Sequence, residues 1–301
     1  MLLSDFINNA SSALETLYPA AEAHNIVLML CSHFLGTKSY THIVEPTYEI
    51  PEKKDDILEA ALSRLRSGEP IQYVLGHAEF CDLTFNVTPS VLIPRPETEM
   101  LVREAVAEAG RIQRSRAPYG AAAQEVRVLD LCTGSGCIAW AVALAVPGVK
   151  VTGVDISEDS LEVARSQDFS AELKKTGAIA PAFIRADVLS DAPDLGEFDL
   201  ILSNPPYIME KEKASMRPNV LEHEPAMALF VPDNDPLLFY RAIANWSRAL
   251  LSPGGMGLSE INEALGPETA EVFSAEGFSE LSVVKDYFGK NRFVIYKKTA
   301  L

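Results

Sequence analysis

With 301 residues, 48% of them apolar and 23% charged, the chain is long enough to bury a sizeable core in two domains and has the balance of an ordinary soluble globular protein. Its 26 basic and 42 acidic residues leave a net charge of −16, which repels phosphate backbone and counts against a grip on duplex DNA or RNA, though not against a substrate presented by a basic protein. The four cysteines, Cys31, Cys81, Cys132 and Cys137, show no CxxC pair and no histidine cluster, so no metal site or disulfide framework is expected, only reduced thiols in a cytoplasmic chain.

The N-terminus carries Asp5 and no basic segment ahead of an apolar block, so no secretory leader is expected. From Leu2 to Leu75 the spacing predicts helices: Phe6, Leu14 and Leu17 on one face, then Ala20–Leu35, then a segment opened by Pro51 and closed by Gly68. The acidic residues of this stretch read as solvated helix faces. Phe80, Leu83, Phe85 and Val87 predict a short β-hairpin or extended connector, and Arg111–Ala123, with Gly120 and an alanine run, a mobile surface loop. Leu131–Val149 is uncharged and long enough to suggest a membrane span, but Gly134-Ser135-Gly136 and Pro147-Gly148 break it into loop, helix and loop.

From Glu125 onward, short β-branched runs alternate with helical stretches, the pattern of a parallel sheet covered by helices. Strands are predicted at Val126–Leu131, Val149–Val154, Ala182–Ala186, Phe198–Ser203, Gly255–Glu260, Ser279–Val284 and Arg292–Tyr296. The last two, separated by a turn with Tyr287, Gly289 and Asn291, predict an antiparallel hairpin at one edge. Seven strands ending this way is the layout expected of an S-adenosylmethionine methyltransferase rather than of a dinucleotide dehydrogenase.

The first of these strands runs into Asp130-Leu131-Cys132-Thr133-Gly134-Ser135-Gly136, where glycines let the backbone approach a ligand. A glycine-rich strand-to-helix turn is shared by many nucleotide folds, but no Walker lysine accompanies this one. The second strand ends in Asp155, whose carboxylate can accept hydrogen bonds from both hydroxyls of a ribose or else cap the helix that follows. Asp187, after the third strand, is placed to meet an adenine amino group or to cap a turn, with Val188 as an apolar wall.

The fourth strand is followed by Asn204-Pro205-Pro206-Tyr207. This can be a proline-stiffened turn, but the residue types also suit N-methylation of a planar amino group. Such a nitrogen has its lone pair delocalised and must be aimed to react. The Asn204 side-chain oxygen and the Pro205 carbonyl are two acceptors for the hydrogens of an NH2 group. The prolines fix φ and keep those carbonyls out of a helix, and Tyr207 offers a flat apolar face.

Taken with three further stretches, this tetrapeptide makes the chain resemble the release-factor glutamine N5-methyltransferase family over nearly its whole length. The stretches are Glu69-Pro70-Ile71-Gln72-Tyr73-Val74-Leu75-Gly76 with Glu79-Phe80; Leu92-Ile93-Pro94-Arg95-Pro96-Glu97-Thr98-Glu99; and Asp130 to Gly136, Ser203 to Ile208 and Glu224-Pro225 taken together. The resemblance implies an α/β protein: a Rossmann-like seven-stranded S-adenosylmethionine methyltransferase domain (96–301) preceded by a small all-helical substrate-recognition domain (1–76) and a β-hairpin linker (77–95). It implies S-adenosylmethionine as cofactor and, as protein substrate, the glutamine of the Gly-Gly-Gln motif in class 1 peptide-chain release factors, with no membrane and no direct nucleic-acid binding. By the same resemblance, Cys132, Thr133, Gly134, Ser135 and Gly136 surround the methionine part of the cofactor, Asp155 the ribose, and Asp187 and Val188 the adenine. Asn204 serves the cofactor's edge and the glutamine amide, Pro205, Pro206 and Tyr207 complete the catalytic slot, and Arg95, Pro96 and Glu97 line the substrate cleft.

Three positions depart from the family's pattern. Cys132 stands where the first glycine of the loop is usual, and its thiol fits if φ there is negative; Val188 stands where some members place a larger ring; and His223, ahead of Glu224-Pro225, stands where an aromatic is common and reads as a bystander. A glutamine methyltransferase acting on a ribosomal protein shares the tetrapeptide, but the Arg95–Glu99 stretch favours the release-factor branch. A DNA or RNA amino-methyltransferase would need base flipping and a basic groove interleaved with aromatics, which the chain lacks. A non-enzymatic binding module would leave Asp155 and Asn204 without a purpose.

Overall fold

A computed structural model describes residues 1–116 and 125–300, which divide into two compact units: 1–77 with 216–224, and the described residues of 78–215 with 225–300. The first unit is helical, built on Leu3–Leu14, Ala20–Leu35 and Asp55–Arg66, with the short helices Ile71–Leu75 and Pro218–His223. Phe6, Ile7, Leu14, Val27, Leu30, Leu58, Leu62 and Leu65 form its core, each on the apolar stripe of its helix. Leu17, expected on the face of the first helix, instead follows its end and is 44% exposed. The cause is Pro19, which disfavours helical backbone at the residue before it, so the chain turns and buries Tyr18 instead. Arg64 holds the next turn: its Nε and Nη2 donate to both Glu69 oxygens (2.8 and 2.5 Å) and Nη2 also to the Tyr73 carbonyl (3.0 Å). His223 lies 3.3 Å from the Ser67 carbonyl through Nε2.

The second unit carries the strands. A hairpin, β1 (His77–Phe80) and β2 (Leu83–Asn86), turns through Cys81 and Asp82, both at positive φ as a two-residue hairpin turn requires. There follow β3 (Val126–Leu131), β4 (Val149–Asp155), β5 (Ala182–Arg185) and β6 (Phe198–Ser203), then a two-residue parallel pair, β7 (Ile208–Met209) and β8 (Phe230–Val231), and last β9 (Leu251–Glu260), β10 (Ser279–Lys285) and β11 (Asn291–Lys297). Seven of these make one sheet in the order β10-β11-β9-β6-β3-β4-β5, parallel except for the edge hairpin β10–β11. The sequence places each of the seven strands; β9 begins four residues early, where Pro253 and Gly254 read as breakers. One helix, Thr98–Ser115, overturns an expectation by running through Arg111, where a loop was predicted. Arg111 pairs with Glu108 one turn back, and Ile112 packs on the core, which supplies the burial that the sequence pattern understates. The remainder of that predicted loop, 117–123, lies outside the described residues.

Glycine is required where strands β9 and β11 face each other. Gly257 pairs with Tyr296, and a Cβ at Gly257 would fall inside the fully buried Tyr296 ring, whose hydroxyl is fixed 2.8 Å from Ser247. Gly257→Ala is therefore expected to lower unfolding free energy by about 3 kcal/mol, the upper end for overpacking. Gly110→Ala, where the added methyl meets only the flexible end of Arg114, should raise it by about 0.5–1 kcal/mol through helix propensity. Urea denaturation of both variants checks the pair; equal midpoints would contradict the packing argument.

Candidate active site

Strands β3 and β6 are parallel neighbours with Leu131 opposite Ser203, while β4 leaves on the other side of β3. The order of connection reverses between β3 and β6, and a crevice opens there beyond the carboxyl ends of the strands. The loop after β3 and the tetrapeptide after β6 thus emerge side by side, tied by the Ser203 hydroxyl, which donates to the Leu131 carbonyl at 2.9 Å. The cleft above them is walled mainly by apolar side chains, with Val91, Leu92, Ile156 and Val188 among them.

The loop bends sharply because Cys132 (φ +61°), Gly134 (+54°) and Gly136 (+78°) all take left-handed backbone. The condition for an unstrained fit of Cys132, a negative φ, is therefore not met. The turn geometry is dictated by the loop's own hydrogen bonds, Thr133 N–H to the Val154 carbonyl (2.9 Å) and Gly136 N–H to the Thr133 carbonyl (2.8 Å), and a Cβ at Cys132 costs about 1–2 kcal/mol in that conformation. Gly153 on β4 permits this approach, since a Cβ there would lie 2.8 Å from Thr133 Oγ1 and 2.6 Å from Phe183. Beneath the loop, Thr133 donates to Asp130 Oδ2 at 2.5 Å, and burial pushes the Asp130 carboxyl up to about 7.

Asp155 faces the cleft with Oδ2 accepting from Gly134 N–H (2.9 Å) and Oδ1 from Ser157 N–H (3.0 Å). The helix Glu158–Arg165 is capped by Ser157, whose hydroxyl accepts from Ser160 N–H (3.2 Å), so Asp155 is not the cap. Each of its oxygens keeps lone pairs for a further donor. Burial raises its pKa. Asp187 also lines the cleft and caps a turn by accepting from Leu189 N–H (2.9 Å), beside the buried Val188. Of the predicted site residues, Arg95, Cys132, Thr133, Gly134, Ser135, Asp155, Asp187, Val188, Asn204 and Pro206 line this one cleft; Pro96, Glu97, Gly136, Pro205 and Tyr207 do not line it.

The tetrapeptide is held from behind. Tyr207 donates its hydroxyl to Glu260 Oε1 (2.9 Å), and its carbonyl accepts from Asn262 Nδ2 (3.2 Å). Asn204 Nδ2 donates to Thr98 Oγ1 (3.3 Å), and Thr98 Oγ1 donates to Glu260 Oε2 (2.7 Å). Glu260 and Thr98 were not assigned a role from sequence, although Glu260 ends an apolar predicted strand just as Asp155 does. Gln167 is a further support: it pairs with both backbone groups of Asn86 (2.8 and 2.9 Å) and donates to the Ser135 carbonyl (3.3 Å), fastening hairpin to loop. None of the five histidines lines the cleft.

The cleft suits an adenosine-bearing ligand. Asp155 offers acceptors for two hydroxyls, Val188 an apolar wall, Asp187 an acceptor, and the bare backbone at Gly134 opens on space that a side chain would fill.

Residues 5–76 match the family described as PrmC N-terminal domain, and residues 120–225 that described as methyltransferase small domain. The release factor glutamine methyltransferase of Bacteroides thetaiotaomicron is 40% identical to this chain over 281 residues, covering 93% of the chain and 94% of that protein. The protein of the same description from Flavobacterium psychrophilum is 34% identical over 294 residues, covering 98% of each. Among solved structures, the hMettl16 catalytic domain aligns with a TM-score of 0.51 over 80% of this chain and 81% of that one; at 12% identity this is a likeness of fold alone. Among the described residues, no helix is long and apolar enough to cross a membrane.

Proposed function

The chain belongs to the release factor glutamine methyltransferase family, and from that premise we propose that it methylates the side-chain amide nitrogen (N5) of the glutamine in the Gly-Gly-Gln motif of class 1 peptide-chain release factors, in the cytoplasm. The observation that carries this reading is that Asn204 and Asp155 line one and the same cleft.

S-adenosylmethionine, bound in the cleft, supplies an electrophilic methyl on a sulfonium. Asp155 would accept from the ribose hydroxyls while its backbone partners hold the loop, Asp187 and Val188 would receive the adenine, and Cys132 to Ser135 would surround the methionine end, with Gly136 shaping the turn behind them. Asn204 Oδ1, in the cleft lining, would accept one amide hydrogen of the substrate glutamine, and the carbonyl of the adjoining Pro205, which is not in that lining, is the acceptor proposed for the other, so that the nitrogen turns toward the methyl. Such orientation is worth roughly 7–11 kcal/mol against a free encounter. The same acceptors favour the positive charge that nitrogen gains, and the methylated amide is acidic enough to release its proton to water. No histidine base is needed, in keeping with their absence from the cleft lining. Arg95 stands where the cleft meets the linker to take the protein substrate.

Transfer of labelled methyl to a purified class 1 release factor tests the reading, beside a Gly-Gly-Gln to Gly-Gly-Ala variant and a ribosomal-protein mixture. Label on the intact factor, lost with the variant, is expected. Label on a ribosomal protein instead would retain the chemistry and replace the substrate.

A further inference from the structure

An asparagine amide can sit in either of two orientations of nearly identical shape, and only its hydrogen-bond partners distinguish them. For Asn204 the difference decides function: with Oδ1 toward the cleft it accepts from a substrate NH2, and with Nδ2 toward the cleft it sets donor against donor. What fixes the choice lies behind it. Thr98 and Glu260 are 2% and 1% exposed, so water does not compete for their polar atoms. Burial raises the Glu260 pKa, against which the Thr98 and Tyr207 hydroxyls and nearby Arg292 favour the ionised form; as a carboxylate it only accepts, so the one Thr98 hydroxyl proton, at 2.7 Å from Oε2, is committed. The lone pairs of Thr98 Oγ1 can then only receive a donor, and the donor within reach is Asn204 Nδ2 at 3.3 Å. The other carboxylate oxygen takes the Tyr207 hydroxyl at 2.9 Å, so one buried group grips both ends of the tetrapeptide.

We propose that Glu260 is a positioning residue for methyl transfer: through Thr98 it locks the Asn204 amide with its oxygen facing the cleft, and through Tyr207 it anchors the far end of the same segment. The proposal rests on the reading that Asn204 receives the substrate amide. A carboxylate is required because a glutamine at the same place has one acceptor for two hydroxyl donors, and since a phenol donates more strongly and accepts more weakly than an alcohol, that oxygen stays with Tyr207 and the NH2 turns to Thr98. Its NH2 would donate to Thr98, leaving the Thr98 proton to seek Asn204 Oδ1 and turning the amide over. A purely structural role, joining the start of the helix Thr98–Ser115 to the end of β9 across 162 residues, would need only some hydrogen bond at this point.

Side-chain NMR of the full chain reads the orientation without any substrate. A nuclear Overhauser contact between the Asn204 side-chain NH2 and the Thr98 methyl is expected in the wild type and should vanish in Glu260→Gln. Its absence in the wild type would overturn the proposal, whatever the protein methylates. Kinetics supply the second readout. Thr98→Val and Glu260→Gln should each lower kcat by about 10- to 100-fold, the effect of one misdirected buried hydrogen bond, with KM for S-adenosylmethionine within about twofold. Thr98→Ser should restore most of the rate, and adding Glu260→Gln to Thr98→Val should cost little more than Thr98→Val alone, because the glutamine oxygen keeps the Tyr207 hydroxyl and the side chain reaches Asn204 only through the Thr98 hydroxyl. Wild-type kcat in Thr98→Val, or additive losses in the double variant, would overturn it. If the wild type methylates some other amide, the assigned substrate falls while the kinetic test proceeds on that amide.

Discussion

Asn204→Ala is expected to lower kcat by about 10²–10³ while leaving the fold nearly intact. The substitution removes one preorganised acceptor of the two that hold the substrate NH2, and deletions of comparable preorganised groups cost about 2.7–4 kcal/mol of transition-state stabilisation. Little of that loss should appear as instability, because Asn204 is only partly buried and its amide makes a single, long contact with Thr98. Histidine substitutions provide the contrast: His24, His33, His42, His77 and His223 all belong to the first unit, and each change should alter kcat less than about twofold, below the range for a true acid–base group. Steady-state methylation of a release factor with these variants decides it. A histidine variant as damaged as Asn204→Ala would replace the aiming mechanism with a base-assisted one.

Asp155→Asn should weaken cofactor binding by about 100-fold. A hydrogen bond to a charged partner contributes roughly 1.5–3 kcal/mol, and the substitution removes the charge from two of them at once. It also turns a donor toward either Gly134 N–H or Ser157 N–H, both now satisfied by the carboxylate, which loosens the loop that the cofactor rests on. The same residue sets a pH dependence. Burial raises the Asp155 pKa above the usual aspartate value, and the protonated acid loses an acceptor. Affinity is therefore full above the raised pKa and falls as pH drops through it, sooner than an ordinary aspartate would allow; the Asn variant should show no such fall. Calorimetric titration with S-adenosylhomocysteine at several pH values measures both effects, and an Asp155→Asn variant that binds like the wild type would remove Asp155 from the ribose.

The shape of the site was legible to the extent that it depends on strand ends. Asp130, Asp155, Asn204 and Glu260 each stand at or just past the carboxyl end of an apolar run, and in a parallel sheet all such ends open on the same edge. Glu260 escaped notice because a strand-terminal acid has no distinctive neighbours in the chain. Its partners Thr98 and Tyr207 are 162 and 53 residues away, and nothing in local spacing announces that they converge. Cys132 illustrates the opposite case. A thiol fits there without strain only at negative φ, but the hydrogen bonds of the loop demand a left-handed turn and the thiol is accommodated at a cost.

The sequence by itself determined the strand positions, the hairpin edge, the two ligand-facing loops and the family. The elements follow from period-two and period-3.6 patterning and from turn residues, which act over a few neighbours and so are written contiguously, and the family follows from the resemblance carried by the motif stretches. Tertiary structure alone decided that residues 216–224 group with the N-terminal helices, through Arg217 to Glu22 and His223 to Ser67; that Gln167 fastens Asn86 to the loop; and that a buried carboxylate at Glu260 commands the tetrapeptide. The physical reason is common to all three. A hydrogen bond between distant residues depends on strand register and helix packing, and these are set by the burial of the whole core and by no segment of it.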